Sequence, residues 1–434
     1  MLFLLLWDQR VLMPRRGAEA RANAIAALGR VSHERFVDDE IGRLLEKLRP
    51  HEESLEYDSD DASLIRVVRT DWEKARREPP ELRAERLHAA SLANGIWVEA
   101  RATNDFAGFL PALRQNFDIR KRYAACYEWD DSPYTPALDD FEPFLTTTEV
   151  AEVFDVIRPA LQEIVRAAPQ IDASFLELPF DRDGQRALAL LMIETVGLDA
   201  GAGRLDTSPH PFCISFGRQD VRMTTRFTDT GLRALWSSLH EAGHALYANG
   251  LAPSLERTPL AQAQSFGINE TQSRTWENLV GRSRPFWTHW YGPPQDTFPD
   301  QLGDVGLDAV MAALNRAHPS ALRSLADETT YSLHIILRFD LERRLIEETL
   351  DPADLPEAWN AGVQDLLGVD VPNDADGVLQ DTHWSGGQIG YFPTYALGNV
   401  MSLQIWSVVR EAIPDLDAQM GAGDLLELSA WLRD

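Results

Sequence analysis

The segment His240-Glu241-Ala242-Gly243-His244 sets two imidazoles four residues apart, with a carboxylate directly after the first. On a helix that spacing leaves the histidines about 40° apart around the axis, so both project from one face. Neutral imidazole binds zinc at about 2.0–2.1 Å, and two such bonds can form here without bending the backbone. Glu241, about 100° further round, is badly placed to ligate and well placed to reach a water beside the metal. Chance alone would produce roughly 0.02 such pentapeptides in a chain of this composition. The chemistry predicted is metal-assisted hydrolysis, with water acidified toward a pKa of about 7 and Glu241 as general base. The bland alternative is a pair of hydrogen-bonded core histidines.

A catalytic zinc takes three protein ligands and leaves a fourth place for water. Thirty residues after His240, Asn269-Glu270-Thr271-Gln272-Ser273-Arg274 opens an amphipathic helix with Glu270 in its expected first turn. There Glu270 can turn toward the metal or merely complement the helix dipole, and spacing leaves both open.

The elements that must position these groups read as mostly helical. Apolar residues recur every three to four positions from Ala18 to Leu48, Asp61 to Glu78, Glu81 to Phe106 and Thr148 to Ala168. In the third, Leu82, Leu87, Leu92, Ile96 and Trp97 form one stripe. Cys213 to Phe227 reads as a short hairpin, the small sheet beside the site. The His240 helix should run from Gly231 to about Asn249, buried along Leu232, Leu235, Trp236, Leu239, Gly243 and Leu246. Arg284 to Pro299 is rich in proline and reads as a loop. A helix from Asp327 to Glu348 and a Gly-rich segment from Gly377 to Gly398 follow.

The chain has 434 residues, 68 acidic and 41 basic side chains, and a net charge of −27; its lysines are Lys47, Lys74 and Lys121. Nucleic acid and anionic membrane would repel it. The acidic pairs are scattered, as a solvated surface or an adaptation to high salt would have them. Cys126 and Cys213 exclude a disulfide framework. Met1 to Leu6 is too short and lacks the basic start of a signal peptide, so it reads as a buried helix. With no membrane-length stretch, a cytoplasmic location is expected.

At this point the sequence resembles the carboxypeptidase Taq family of metallocarboxypeptidases over nearly its whole length. The marks stand in order: His210-Pro211-Phe212; Asp220, Arg222 and Thr224; His240 to His244; Asn269 to Ser273; and Leu337-Arg338-Phe339-Asp340-Leu341-Glu342. They end with Gly377, Gln380-Asp381, His383-Trp384 and Gly390-Tyr391-Phe392-Pro393-Thr394-Tyr395. The resemblance implies one helical catalytic domain over residues 1–434 with a deep groove, a lid region in about 1–150 and the zinc site in 200–400. It implies a homodimer, Zn2+ replaceable by Co2+, Glu270 as third ligand, and removal of single residues from peptides with a free C-terminus. An acidic, haloarchaeal-like member would suit the charge. Two departures are Asn269, where the family has His, and the segment matching Trp7-Asp8-Gln9, which in the family follows some tens of residues, so a truncated N-terminus is expected.

Arg338 falls on a stripe with Tyr331, His334, Ile335 and Glu342. It either pairs with Glu342 one turn on or offers a fork to a substrate's terminal carboxylate; the resemblance favours capture. His383, Tyr391 and Tyr395, in the Gly-rich segment, are candidate hydrogen-bond donors to the oxyanion of the tetrahedral intermediate, or packing residues. Arg222 shares a strand face with Asp220 and Thr224, to line the groove or to pair with them. His210 is a further candidate for the substrate. The competing functions are an endopeptidase or aminopeptidase with the same zinc core and a non-catalytic helical metal-binding protein. An aminopeptidase needs carboxylates for the substrate amine, and a relic metal site has no use for Glu241.

Overall fold

The chain is described by a computed structural model for residues 2–208 and 210–433. Helices fill most of it, and the described residues contain one sheet of three strands. β1 (Gly203–Thr207) runs parallel to β3 (Asp220–Thr225), and β2 (Phe212–Gly217) pairs antiparallel with β3 on its other side. The expected hairpin is therefore β2 and β3. β1 escaped the reading because GRLDT carries one strongly apolar residue and no alternation.

One hydrophobic core forms on the helix Arg233–Gly250, whose Leu235, Leu239 and Ala242 are fully buried against Val221 and Met223 of β3 and against Trp276 and Trp287. Each such leucine contributes about 1.5–3 kcal/mol of burial. The second core forms on the helix Glu328–Ile346, capped by the Asp327 side chain, with Phe109, Phe154, Trp359 and Leu397. Between the cores lies the helix Phe266–Arg274. It is held so closely that a Cβ on Gly243 would lie 2.5 Å from Ser273 Cα, and one on Gly398 2.6 Å from Glu270 Cγ.

Other expectations need correction. Ala18 to Leu48 is two helices, Ala18–Phe36 and Asp39–Glu52, because the Asp38 side chain accepts the Glu40 N–H and starts a new one. Phe106 begins its own helix, Phe106–Ala124, after Asn104 turns left-handed. In Pro80–Thr103 the buried positions are Leu82, Ala89, Ala93 and Ala100, whereas Leu87, Leu92 and Ile96 are exposed. The proline-rich stretch forms the helices Arg284–Trp290, Gly292–Thr297 and Pro299–Leu302, with proline in the first turn of each, where no N–H is needed. The N-terminal helix Leu2–Val11 buries Trp7 and leaves Phe3 and Leu4 exposed, so it is not a core helix. Among the described residues no helix is long and apolar enough to cross a membrane.

Candidate active site

His240 and His244 project from one face of Arg233–Gly250 toward Glu270, and the ligand atoms of all three lie within 4.8 Å of one another. His240 Nε2 stands 3.7 Å from Glu270 Oε1 and His244 Nε2 stands 3.5 Å from Oε2. A tetrahedral zinc with bonds near 2 Å has its ligand atoms about 3.3 Å apart, and each histidine nitrogen stands close to that spacing from one of the two Glu270 oxygens. Glu270 is buried with Oε1 paired to Arg274, and its Oε2 faces His244 Nε2. The residues fit a divalent ion.

The Glu270 helix begins at Phe266, capped by the Ser265 side chain, so Glu270 sits a full turn in and is not a dipole-complementing carboxylate. After Arg274 the backbone widens into a π-helix, Thr275–Val280. This carries Glu277 under the site, where its Oε2 accepts from His240 Nδ1 at 2.8 Å. That bond leaves Nε2 free for the ion. Arg274 holds Glu270 Oε1 at 2.8 Å and Glu277 Oε2 at 3.0 Å. Burial opposes ionisation of both acids, yet Arg274 and His240 draw each down to about 2, with His244 adding to the pull on Glu270. Glu241 is buried, and burial pushes its carboxyl above the usual range, the direction that suits a proton acceptor. Glu277 and Arg274 were given no role by the sequence reading. An acidic residue seven beyond the ligand carboxylate is a weak signal, and the π-turn that aims it leaves none.

Arg338 corrects its expectation. It is fully buried, stacks on Trp359, and commits its donors to Asp381 Oδ2 (Nε, 2.7 Å), Gln380 Oε1 (3.0 Å) and the His334 carbonyl (2.7 Å). It neither pairs with Glu342 nor presents a fork to the cleft. Beside it lies a second, nearly buried guanidinium, Arg323, overlooked in an irregular stretch. Arg323 grips Asp381 Oδ1 through Nε at 3.0 Å and Nη2 at 2.7 Å, donates to Tyr331 Oη at 3.0 Å, and lies against Tyr395. Two guanidiniums share one carboxylate, so the cluster carries a net positive charge.

Arg222 takes the second of its two alternatives, the pair with Asp220. Val221 and Met223 face the core, so alternation turns Arg222 to the other side, where it pairs with Asp220 and stacks on Trp7. Thr224, on that same face, accepts from Phe212 N–H and the Ser208 hydroxyl, pinning the loop that carries exposed His210. His383 is buried, with Nε2 3.2 Å from Tyr395 Oη. Burial, aided by Arg323, lowers its pKa to about 3 against the pull of Asp381, so the ring is neutral near pH 7. Tyr391 lies between His383 and Tyr395, with ring centroids 5.7 and 5.2 Å away.

Glu342 anchors the loop bearing His383 and Tyr391, whereas Tyr395 sits in the first turn of the helix Pro393–Ala412. It accepts from Tyr134 Oη at 2.6 Å, Trp384 Nε1 at 2.7 Å and Gly390 N at 2.9 Å, with no salt bridge among the described residues. Burial raises its pKa to about 7. Below the unfolded value of about 4.3 both states hold the proton; as pH rises toward 7 the unfolded chain ionises first, so up to roughly 3 kcal/mol of stability is lost. Glu342→Gln should remove this slope, so that its Tm relative to wild type rises from pH 5 to pH 8. A pH-independent difference between the two melting curves would refute the assignment.

Comparison with known proteins places this geometry. A profile described as carboxypeptidase Taq (M32) metallopeptidase matches residues 2–434. Thermostable carboxypeptidase 1 of Thermus thermophilus is 39% identical over 441 residues, covering 98% of this chain and 86% of the relative. Carboxypeptidase 1 of Bacillus subtilis is 34% identical, covering 99% of this chain and 87% of the relative. The structure of a Pyrococcus furiosus carboxypeptidase superposes with a TM-score of 0.93 at 34% identity, covering all of this chain and 88% of the other. These relatives do not bear out the haloarchaeal affinity.

Proposed function

The chain belongs to the carboxypeptidase Taq (M32) family and is a metallocarboxypeptidase, a peptide hydrolase; from that premise we propose that His240, His244 and Glu270 hold its divalent ion, with zinc as the resident metal and cobalt as a substitute. Such an ion supplies Lewis-acid polarisation and makes water more acidic. Glu241 takes the proton of the attacking water and delivers it to the leaving amine. His383, Tyr391 and Tyr395 donate hydrogen bonds to the oxyanion of the tetrahedral intermediate; the neutral ring of His383 supports this, since it can donate without carrying charge. His210, on the pinned loop, completes the wall toward the substrate. Residues 1–434 act as one catalytic domain, with about 1–150 as lid and 200–400 as site; the Glu270 helix, wedged between the two cores, supports this. We extend the reading to a homodimer in the cytoplasm, consistent with two unpaired cysteines.

The observation that carries action at the C-terminus is the Arg323–Asp381–Arg338 cluster, whose surplus positive charge is linked to Glu270 through Tyr331 and Arg274 and matches a terminal carboxylate. An endopeptidase has no use for it. A peptide with a free C-terminus should shorten one residue at a time by mass spectrometry, and its C-terminal amide about ten- to a hundredfold more slowly. Arg323→Ala should erase that difference. Equal cleavage of acid and amide by the wild type, or internal fragments appearing first, would reject the reading.

A further inference from the structure

Phe266, Glu270 and Arg274 are spaced four residues apart on one helix, so they follow one another along a single face at intervals of about 6 Å. Glu270 marks the metal. Arg274 lies over the Tyr331 ring at 4.4 Å, and the Tyr331 hydroxyl accepts from Arg323, so the carboxylate-holding end lies beyond Arg274. Phe266 stands at the opposite end and is 40% exposed, on the same face as buried Glu270 and Arg274. Its ring meets Tyr391 and Phe141 edge-on, each at 5.7 Å, and Phe141 meets Tyr391 at 4.9 Å.

This wall is built rigidly. Phe266 N–H donates to the Phe141 carbonyl at 3.0 Å. Buried Glu142 accepts from the Ser265 hydroxyl at 2.6 Å and from Gly267 N–H, so residues 141–142 cap the helix and fix the ring together. Phe266 is thus a half-open aromatic edge, held by Phe141 and Tyr391 and by buried polar groups, one turn from Glu270.

We infer that Phe141, Phe266 and Tyr391 form an apolar subsite for the penultimate side chain of the substrate, on the amino side of the scissile bond. The inference rests on the proposed placing of the terminal carboxylate at Arg323. A substrate running from Arg323 across the metal then lays its penultimate residue on the aromatic edge, where branched aliphatic and aromatic side chains gain contact and acidic ones gain none.

N-blocked dipeptides ending in alanine, with Phe, Leu, Ala or Asp before it, test this by alanine release. Wild type should favour Phe and Leu over Ala by about five- to tenfold in kcat/KM. Phe266→Ala should lose that preference, its kcat/KM for the Phe and Leu peptides falling to its own Ala–Ala value, with unchanged bound metal. Should Phe266→Ala fold poorly, Phe266→Leu should keep the preference for Leu and lose the advantage of Phe. The same ranking should appear in the Kd values of Glu241→Gln, which binds without cleaving. A flat wild-type series, an equal loss on every peptide, or a preference that tracks the C-terminal residue instead would overturn the subsite. Failure to release alanine from any of them would instead overturn the carboxypeptidase reading on which it rests.

Discussion

Glu241→Gln should keep its metal and lose about a hundred- to ten-thousandfold in kcat. Glutamine fills the same space and accepts hydrogen bonds, but it cannot take a proton from water. Because Glu241 is not part of the His240–His244–Glu270 group proposed to hold the ion, metal content should stay at the wild-type level. His244→Ala, by contrast, removes one of three donors and should lose both metal and activity. Glu277→Gln is informative between these extremes. It weakens the bond that orients His240, and comparable substitutions cost about ten- to a hundredfold in metal affinity. Elemental analysis of dialysed protein alongside kcat separates the cases. Equal metal in wild type and His244→Ala, or loss of metal from Glu241→Gln, would dismantle the ligand assignment.

Asp381→Ala should be the most destabilising single change near the site. The carboxylate is held far below its usual range, against the cost of burial, by Arg323 and Arg338. Removing it leaves two guanidiniums facing each other, one fully buried and one nearly so. Breaking a buried ion pair from one side costs about 3–5 kcal/mol, because the remaining charge stays desolvated. Asp381→Ala combined with Arg338→Met should recover most of that loss, since methionine fills much of the same volume without charge. The double variant should nevertheless remain impaired with free-acid peptides, because Arg323 would have lost the carboxylate that aims it. Thermal unfolding of the two single variants and the double variant closes the cycle. Additive losses would mean that the two arginines do not share Asp381 energetically.

What the sequence disclosed and what it withheld divide along physical lines. The metal helix was legible because two histidines, a glutamate and an apolar stripe obey one period, and Leu235 and Leu239 are buried as that period requires. The hairpin was legible for the same reason, at a period of two. Arg338 misled because burial of its face was read correctly while its partner was not. Its neighbour one turn along, Glu342, turned to three donors from distant segments, and Asp381 came from forty-three residues away. Arg323 was missed because irregular backbone carries no period. Prolines from Arg284 to Pro299 were read as breakers although each occupies a position where proline starts a helix. Pair identity across long sequence distance, and the sense of a proline, are settled by tertiary contacts.

Gly243 has a bearing on how relatives of this chain are found. In the usual shorthand for such metal motifs the residue before the second histidine is a wildcard. Here it is a missing methyl group through which the two ligand-bearing helices touch, and any side chain would have to enter the backbone of Gln272 and Ser273. A sequence could match every ligand and the base, carry alanine at this place, and still hold its third ligand too far away to close the site. For this fold, a search pattern gains discrimination by spelling out a residue that performs no chemistry.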